Sequence, residues 1–85
     1  MSGAKTYLAD GFDEAIIGME CTGAIPRVVY SIKLMVHILC NRDGMTEDEA
    51  IEFLDYNVIG SYMGEGTPLY VDEMSVEDIR NYEFD

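Results

Sequence analysis

The stretch "NRDGMTEDEA" (residues 41–50) decides how this chain is read. A glycine among carboxylates invites comparison with a calcium loop. Such a loop needs oxygen ligands at its first, third and fifth positions, glycine at the sixth and glutamate at the twelfth. With Gly44 in the glycine position, the first position is Leu39 and the last is Ala50. Neither supplies a side-chain ligand, so calcium is rejected on spacing. The chemistry of a helix-to-helix hinge fits instead. Gly44 suits the left-handed backbone that ends a helix. Thr46 and Glu49 stand in the T-x-x-E spacing of a capping box, and Met45 and Ala50 fit the hydrophobic staple around it. Glu47, Asp48 and Glu49 then fall in the first turn of a second helix, where the helix dipole favours carboxylates.

Upstream, Ser31 is a fitting N-cap for "IKLMVHILCNR". Ile32, Met35, Val36 and Leu39 follow helical spacing, and Leu34 and Ile38 widen the apolar face, which predicts a largely buried helix. Downstream, the second helix is expected from about Glu47 to about Val58, with Ala50, Phe53, Leu54 and Asn57 or Val58 facing inward. Further out, the β-rich runs in "FDEAIIGMEC" (12–21) and "AIPRVVYS" (24–31) predict a hairpin turning through "CTGAIP". Pro26 lacks a donor and belongs at a strand's start or edge. "GSYMGEGTP" (60–68) reads as a glycine-punctuated loop, and "PLYVDEM" (68–74) as a short third strand. Ser75 with Asp78 caps a last helical turn. The expected fold class is α+β: one small domain over residues 1–85 in the order β-β-α-α-β, with a short C-terminal helix and a loose start at residues 1–6. No internal repeat or low-complexity segment is visible.

Size and charge narrow the function. Eighty-five residues make one domain with a modest core and little room for a deep enclosed active site. A hydrophobic content of 48% is too high for a disordered acidic tail. The formal net charge is -12, from 17 acidic and 5 basic residues. Phosphates would be repelled, so direct nucleic-acid binding is not expected. The charge is uneven: residues 1–42 balance, while residues 43–85 hold 13 acids and only Arg80. One acidic surface is expected. Cys21 and Cys40 form no CxxC, no signal-peptide pattern is read, and no apolar run has the roughly 20 residues of a membrane span. The expectation is a cytoplasmic protein with reduced thiols and no membrane contact.

Few motifs suggest catalysis or a cofactor, and none is assigned. "GSYMGEG" lacks the lysine and the spacing of a P-loop, and Glu65 would repel phosphate. His37 and Cys40 stand at i, i+3, but a nucleophile also needs an oxyanion site and a cleft. A structural histidine and a buried cysteine are expected. The carboxylates say more. Asp48, Glu52 and Asp55 fall at i, i+4 and i+7 and share one helix face. Asp72, Glu73, Glu77 and Asp78 form a second cluster after the third strand. The candidate partner-binding residues are therefore Glu47, Asp48, Glu52, Asp55, Asp72, Glu73, Glu77 and Asp78. If both clusters share a face, their spacing imitates a nucleic-acid backbone; the competing reading is a solvated face that aids solubility. Tyr56, Tyr62, Tyr70 and Tyr82 lie among these acids, and tyrosine beside carboxylate suits arginine-rich partners. Some of these rings are expected to pack in the core.

Over roughly residues 9–72 the chain resembles a family of small acidic proteins encoded by tailed bacteriophages and prophages. The likeness is carried by "DGFDEAIIG", by "VVYS" leading into a helix, and above all by D-G-M-T-x-x-E-A-x-E-F followed by N-x-x-G and G-E-x-T-P. It departs in helix one, where "SIKLMVHIL" stands in place of a more polar stretch. No catalytic residue comes with the resemblance. It implies, as a class, an inhibitor of host defence such as an anti-CRISPR protein. Its partner would be a basic host protein or ribonucleoprotein, such as a CRISPR effector, in the host bacterial cytoplasm. The alternative is an accessory phage protein working through an apolar interface, with helix one and loop 60–70 forming a homodimer.

Overall fold

The computed structural model describes residues 5–83. A 3-10 turn at Asp13–Ala15 leads into strand β1 (Ile16–Glu20), then β2 (Arg27–Ser31), helix α1 (Ile32–Asp43) and helix α2 (Glu47–Leu54). A π-helical turn (Asp55–Ile59) extends α2; strand β3 (Leu69–Val71) and helix α3 (Val76–Arg80) follow. This is the expected β-β-α-α-β order with a short C-terminal helix. The sheet order is β1-β2-β3, with β1 antiparallel and β3 parallel to the central strand. A parallel pair cannot be closed by a tight turn. Here α1 and α2 make the crossover from β2 to β3.

Strand β2 positions the rest. Val28 and Tyr30 alternate with Arg27 and Val29, and both are buried. They join Met35, Val36 and Leu39 of α1, Ala50 and Leu54 of α2, and Phe12 and Ala15 in one core cluster. Burying a side chain of Leu39's size contributes about 1.5–3 kcal/mol. Tyr30 pairs with Ile16 on one side and Tyr70 on the other. Its ring stacks on Tyr70 at 5.8 Å, and its hydroxyl accepts a hydrogen bond from Ala9 N at 2.8 Å. The alternation ends at Ser31, which is buried because it caps α1: its hydroxyl accepts from Leu34 N at 3.2 Å.

The hinge forms as its residues dictate. Gly44 has φ +70 and closes α1. Thr46 Oγ1 accepts from Glu49 N at 3.2 Å, while the Glu49 carboxylate accepts from Thr46 N at 2.9 Å, completing the capping box. Pro26 lies directly before β2. The second helix reaches Ile59, one residue past the expected end, but its last turn is widened. The Asn57 side-chain amide donates to the Phe53 carbonyl at 3.1 Å, competing for a backbone acceptor. Gly60 then passes so close to the Asp55 carbonyl that a Cβ there would lie 2.8 Å from it. Val58, half-buried against the core, is the inward residue; Asn57 is exposed.

Tertiary contacts add to two expectations. Of the start expected to be loose, residues 1–4 lie outside the described residues, but Lys5 and Thr6 are held. Thr6 Oγ1 donates to the Pro26 carbonyl at 2.7 Å, and Tyr7 N donates to Gly66 O at 3.1 Å. The Lys5 carbonyl occupies the space that a Cβ on Gly66 would need. Residues 60–68 form the expected loop, and its end is packed. Thr67 is buried; its hydroxyl accepts from Met63 N at 2.8 Å and donates to Gly64 O at 2.7 Å. Its carbonyl accepts from Arg27 Nε at 2.6 Å.

Candidate partner-binding surface

All eight candidate carboxylates are exposed. Helix α2 turns its Ala50 and Leu54 stripe to the core, which leaves its acids in water. Glu47 and Asp48 sit in the first turn, where the unpaired backbone N–H groups favour them. Asp48 and Glu52 form an outward ridge one turn apart. Among the described residues, the one ion pair joins Arg42 to its neighbour Asp43, with Nε–Oδ1 at 3.1 Å. No lysine or arginine of those residues holds a candidate carboxylate.

Two grooves flank α2 and sort its acids. The first, of about 640 Å³, runs past the α1–α2 hinge and is lined by Asp43, Met45, Glu49, Glu52, Phe53 and Tyr56 with their neighbours. The second, of about 630 Å³, lies between α1, α2 and the segment after β3. Leu54 and Val36 are buried at its floor, and Ile32, Ile51 and Ile59 form its apolar walls. Glu47, Asp55 and Asp72 stand around it, with Lys33 at one end. The Lys33 ammonium donates to the Glu73 carbonyl at 3.0 Å, which ties residues 72–74 to α1.

This geometry refines the expected stripe. Asp48, Glu52 and Asp55 do not act as one file: Glu52 lines the first groove and Asp55 the second. The first and second acidic clusters do meet, at Asp72, which shares the second groove with Glu47 and Asp55. Glu73 is adjacent to it. Glu77 and Asp78 sit on α3, where Asp78 N donates to the Ser75 hydroxyl at 3.0 Å, and neither lines a groove of α2. Sequence reasoning missed Ile51. It is off the inward stripe, at i±4 from Glu47 and Asp55, and it is 45% exposed. An apolar residue within an acidic file was the available signal.

The remaining residues singled out in the sequence are placed as follows. His37 is exposed, and its Nε2 is 2.8 Å from Asn41 Nδ2 one turn further on. Cys40 is half-buried against the core, and Cys21 is exposed. The apolar face of α1 is taken up by the core through Met35, Val36 and Leu39, which leaves Leu34 as its one exposed large apolar residue. In loop 60–70, Tyr62 and Met63 are exposed. Of the four tyrosines, Tyr70 packs against the core, and Tyr56, Tyr62 and Tyr82 are exposed.

Three acidic groups depart from their ordinary ionisation. Hydrogen bonding to the Arg42 guanidinium holds Asp43 below the usual carboxylate range. Hydrogen bonds from the Thr22 hydroxyl and N–H do the same for Glu20. Burial, with Tyr30 alongside, pushes the Tyr70 hydroxyl up. All three belong to structural contacts. Arg42 in particular also donates to the Gly11 carbonyl at 2.8 Å and covers the Phe12 ring, which fastens the end of α1 to the N-terminal segment.

Among the described residues no three histidine, cysteine or carboxylate side chains converge as a metal site, and no helix is long and apolar enough to cross a membrane. No protein-family model matches the chain, and no curated protein or solved structure matches it either.

Proposed function

We propose that this protein acts by binding, docking its acidic surface on a basic surface of a nucleic-acid-handling protein or ribonucleoprotein. The observation that supports this reading is the set of eight exposed carboxylates that no cation among the described residues neutralises. Like charges one helical turn apart, as at Asp48 and Glu52, repel by a few tenths of a kcal/mol. Lysine and arginine on a partner would relieve that repulsion, steer the encounter and fix its register. The exposed rings of Tyr56 and Tyr62 add flat faces for guanidinium groups. The likeness of residues 9–72 to small acidic phage proteins makes host-defence machinery the target class, with a CRISPR effector in the bacterial cytoplasm as the leading example. The acids would then occupy the groove that otherwise holds nucleic acid.

Capture from a bacterial lysate on the immobilised chain, washed at low and then high salt, tests the reading. A basic nucleic-acid-binding partner released by salt is expected, because salt screens contacts near the surface. The double variant Asp48→Lys, Glu52→Lys should fold and lose that partner. Unchanged capture by the double variant, or a partner that resists salt, would overturn it.

A further inference from the structure

The groove between α1 and α2 is the more apolar of the two that flank α2. Leu54 and Val36 close it from below, and Ile51 stands in its wall between Glu47 and Asp55. A solvated helix ridge ordinarily carries polar residues at such a position. We propose that this groove seats an amphipathic segment of the basic partner. Apolar side chains of that segment would rest on Ile51 and Leu54, and flanking lysine or arginine would meet Glu47, Asp55 and Asp72. The inference rests on the acidic-surface reading and names the part of the partner that enters it.

Charge complementarity selects the occupant. Three carboxylates surround the groove against one ammonium, Lys33, which already donates to the Glu73 carbonyl. A second copy of a chain with net charge -12 would bring the same sign to the same rim. A nucleic acid would be repelled in the same way. A basic amphipathic segment satisfies both parts of the groove. Its apolar residues supply affinity that salt does not screen, and its cations supply approach and register. The volume of about 630 Å³ lies within the ordinary range of binding clefts.

The test uses the full chain with labelled isoleucine, leucine and valine methyls, titrated with three synthetic peptides and followed by NMR. One peptide combines leucine and arginine in an amphipathic helix pattern. The second replaces its leucines with serine, and the third replaces its arginines with glutamine. The leucine–arginine peptide is expected to shift the methyls of Ile51, Ile59 and Val36 saturably and to bind about tenfold more tightly than either control. Ile51→Ser should weaken it about tenfold and leave the serine–arginine peptide unchanged. Equal binding of the serine–arginine peptide, with groove methyls unmoved, would overturn this inference while leaving the acidic-surface reading intact. Failure of both arginine peptides at low salt overturns both. Equal binding of the leucine–glutamine peptide removes the role of charge and overturns the inference. Groove shifts that track protein concentration alone would make a second copy the occupant and overturn it too. If Ile51→Ser does not fold, Asp72→Asn reads the same groove from outside the helices. A severalfold loss for the leucine–arginine peptide supports the inference, and an unchanged affinity overturns it.

Discussion

Helices α1 and α2 are sequence neighbours joined by one tight hinge, yet they are put to opposite uses. Helix α1 buries Met35, Val36 and Leu39, and its charged ends are bonded within the chain: Lys33 to Glu73, Arg42 to Gly11 and Asp43. Helix α2 buries only Ala50 and Leu54 and leaves Glu47, Asp48, Glu52 and, just beyond its end, Asp55 in water. The first helix stabilises the fold. The second adds Ala50 and Leu54 to the core and presents most of its charge to water. Like charge one turn apart on a helix is slightly unfavourable, a cost that α2 carries at Asp48 and Glu52 and that α1 does not.

The sharpest way to break this comparison is to weaken α1. Leu39→Ala removes a fully buried side chain, and a loss of about 2–5 kcal/mol is expected from denaturant unfolding. A loss under about 1 kcal/mol would show that α1 does not anchor the core. Next in size is the cap of α2. Thr46→Ala removes the hydroxyl that accepts from Glu49 N, and a loss of about 1 kcal/mol is expected in the same measurement. The ridge of α2 should respond with the opposite sign. Glu52→Lys turns the Asp48 repulsion into an i, i+4 attraction, so stability should rise by about 0.4–1 kcal/mol while capture of a basic partner falls. A destabilised Glu52→Lys variant would mean that the ridge serves the fold after all.

The smallest effect concerns pH and lies in the core beneath both helices. Burial raises the Tyr70 hydroxyl above its ordinary value, so its neutral form is favoured by folding. That contribution is whole below the ordinary tyrosine pKa of about 10 and is lost as the pH climbs from there towards the raised folded value. Unfolding curves across that alkaline window should show Tyr70→Phe losing less stability than the parent protein. Parallel curves would count against burial as the cause.

Legibility followed the range of each interaction. The capping box of Thr46 and Glu49, the left-handed Gly44, the Ser31 cap and the Ser75 cap with Asp78 each involve residues within three or four positions. All were readable, as was the β-rich run that forms β2. The π-helical turn was not, because the helical period continues through Asp55–Ile59 and only the close pass of Gly60 by Asp55 distinguishes it. The loop at 60–68 was readable from its glycines, but its packing was not, because its partners, Lys5 and Arg27, lie far away in sequence. The exposure of His37 was not readable either: on a helix with so wide an apolar face, spacing alone leaves open which edge residue is covered.

By itself, then, the amino-acid sequence determined the order of elements, the hinge, the caps and the concentration of acid in residues 43–85, since these depend on local backbone chemistry and on counting charge. Only the tertiary structure decided that the apolar face of α1 is consumed by the core, that Glu52 and Asp55 part to different grooves, and that Asp72 joins Glu47 and Asp55 across an apolar floor beside Ile51. Those outcomes depend on how α1, α2 and the end of β3 pack together, through contacts such as Lys33 to Glu73 that span 40 positions and leave no periodic trace in the chain.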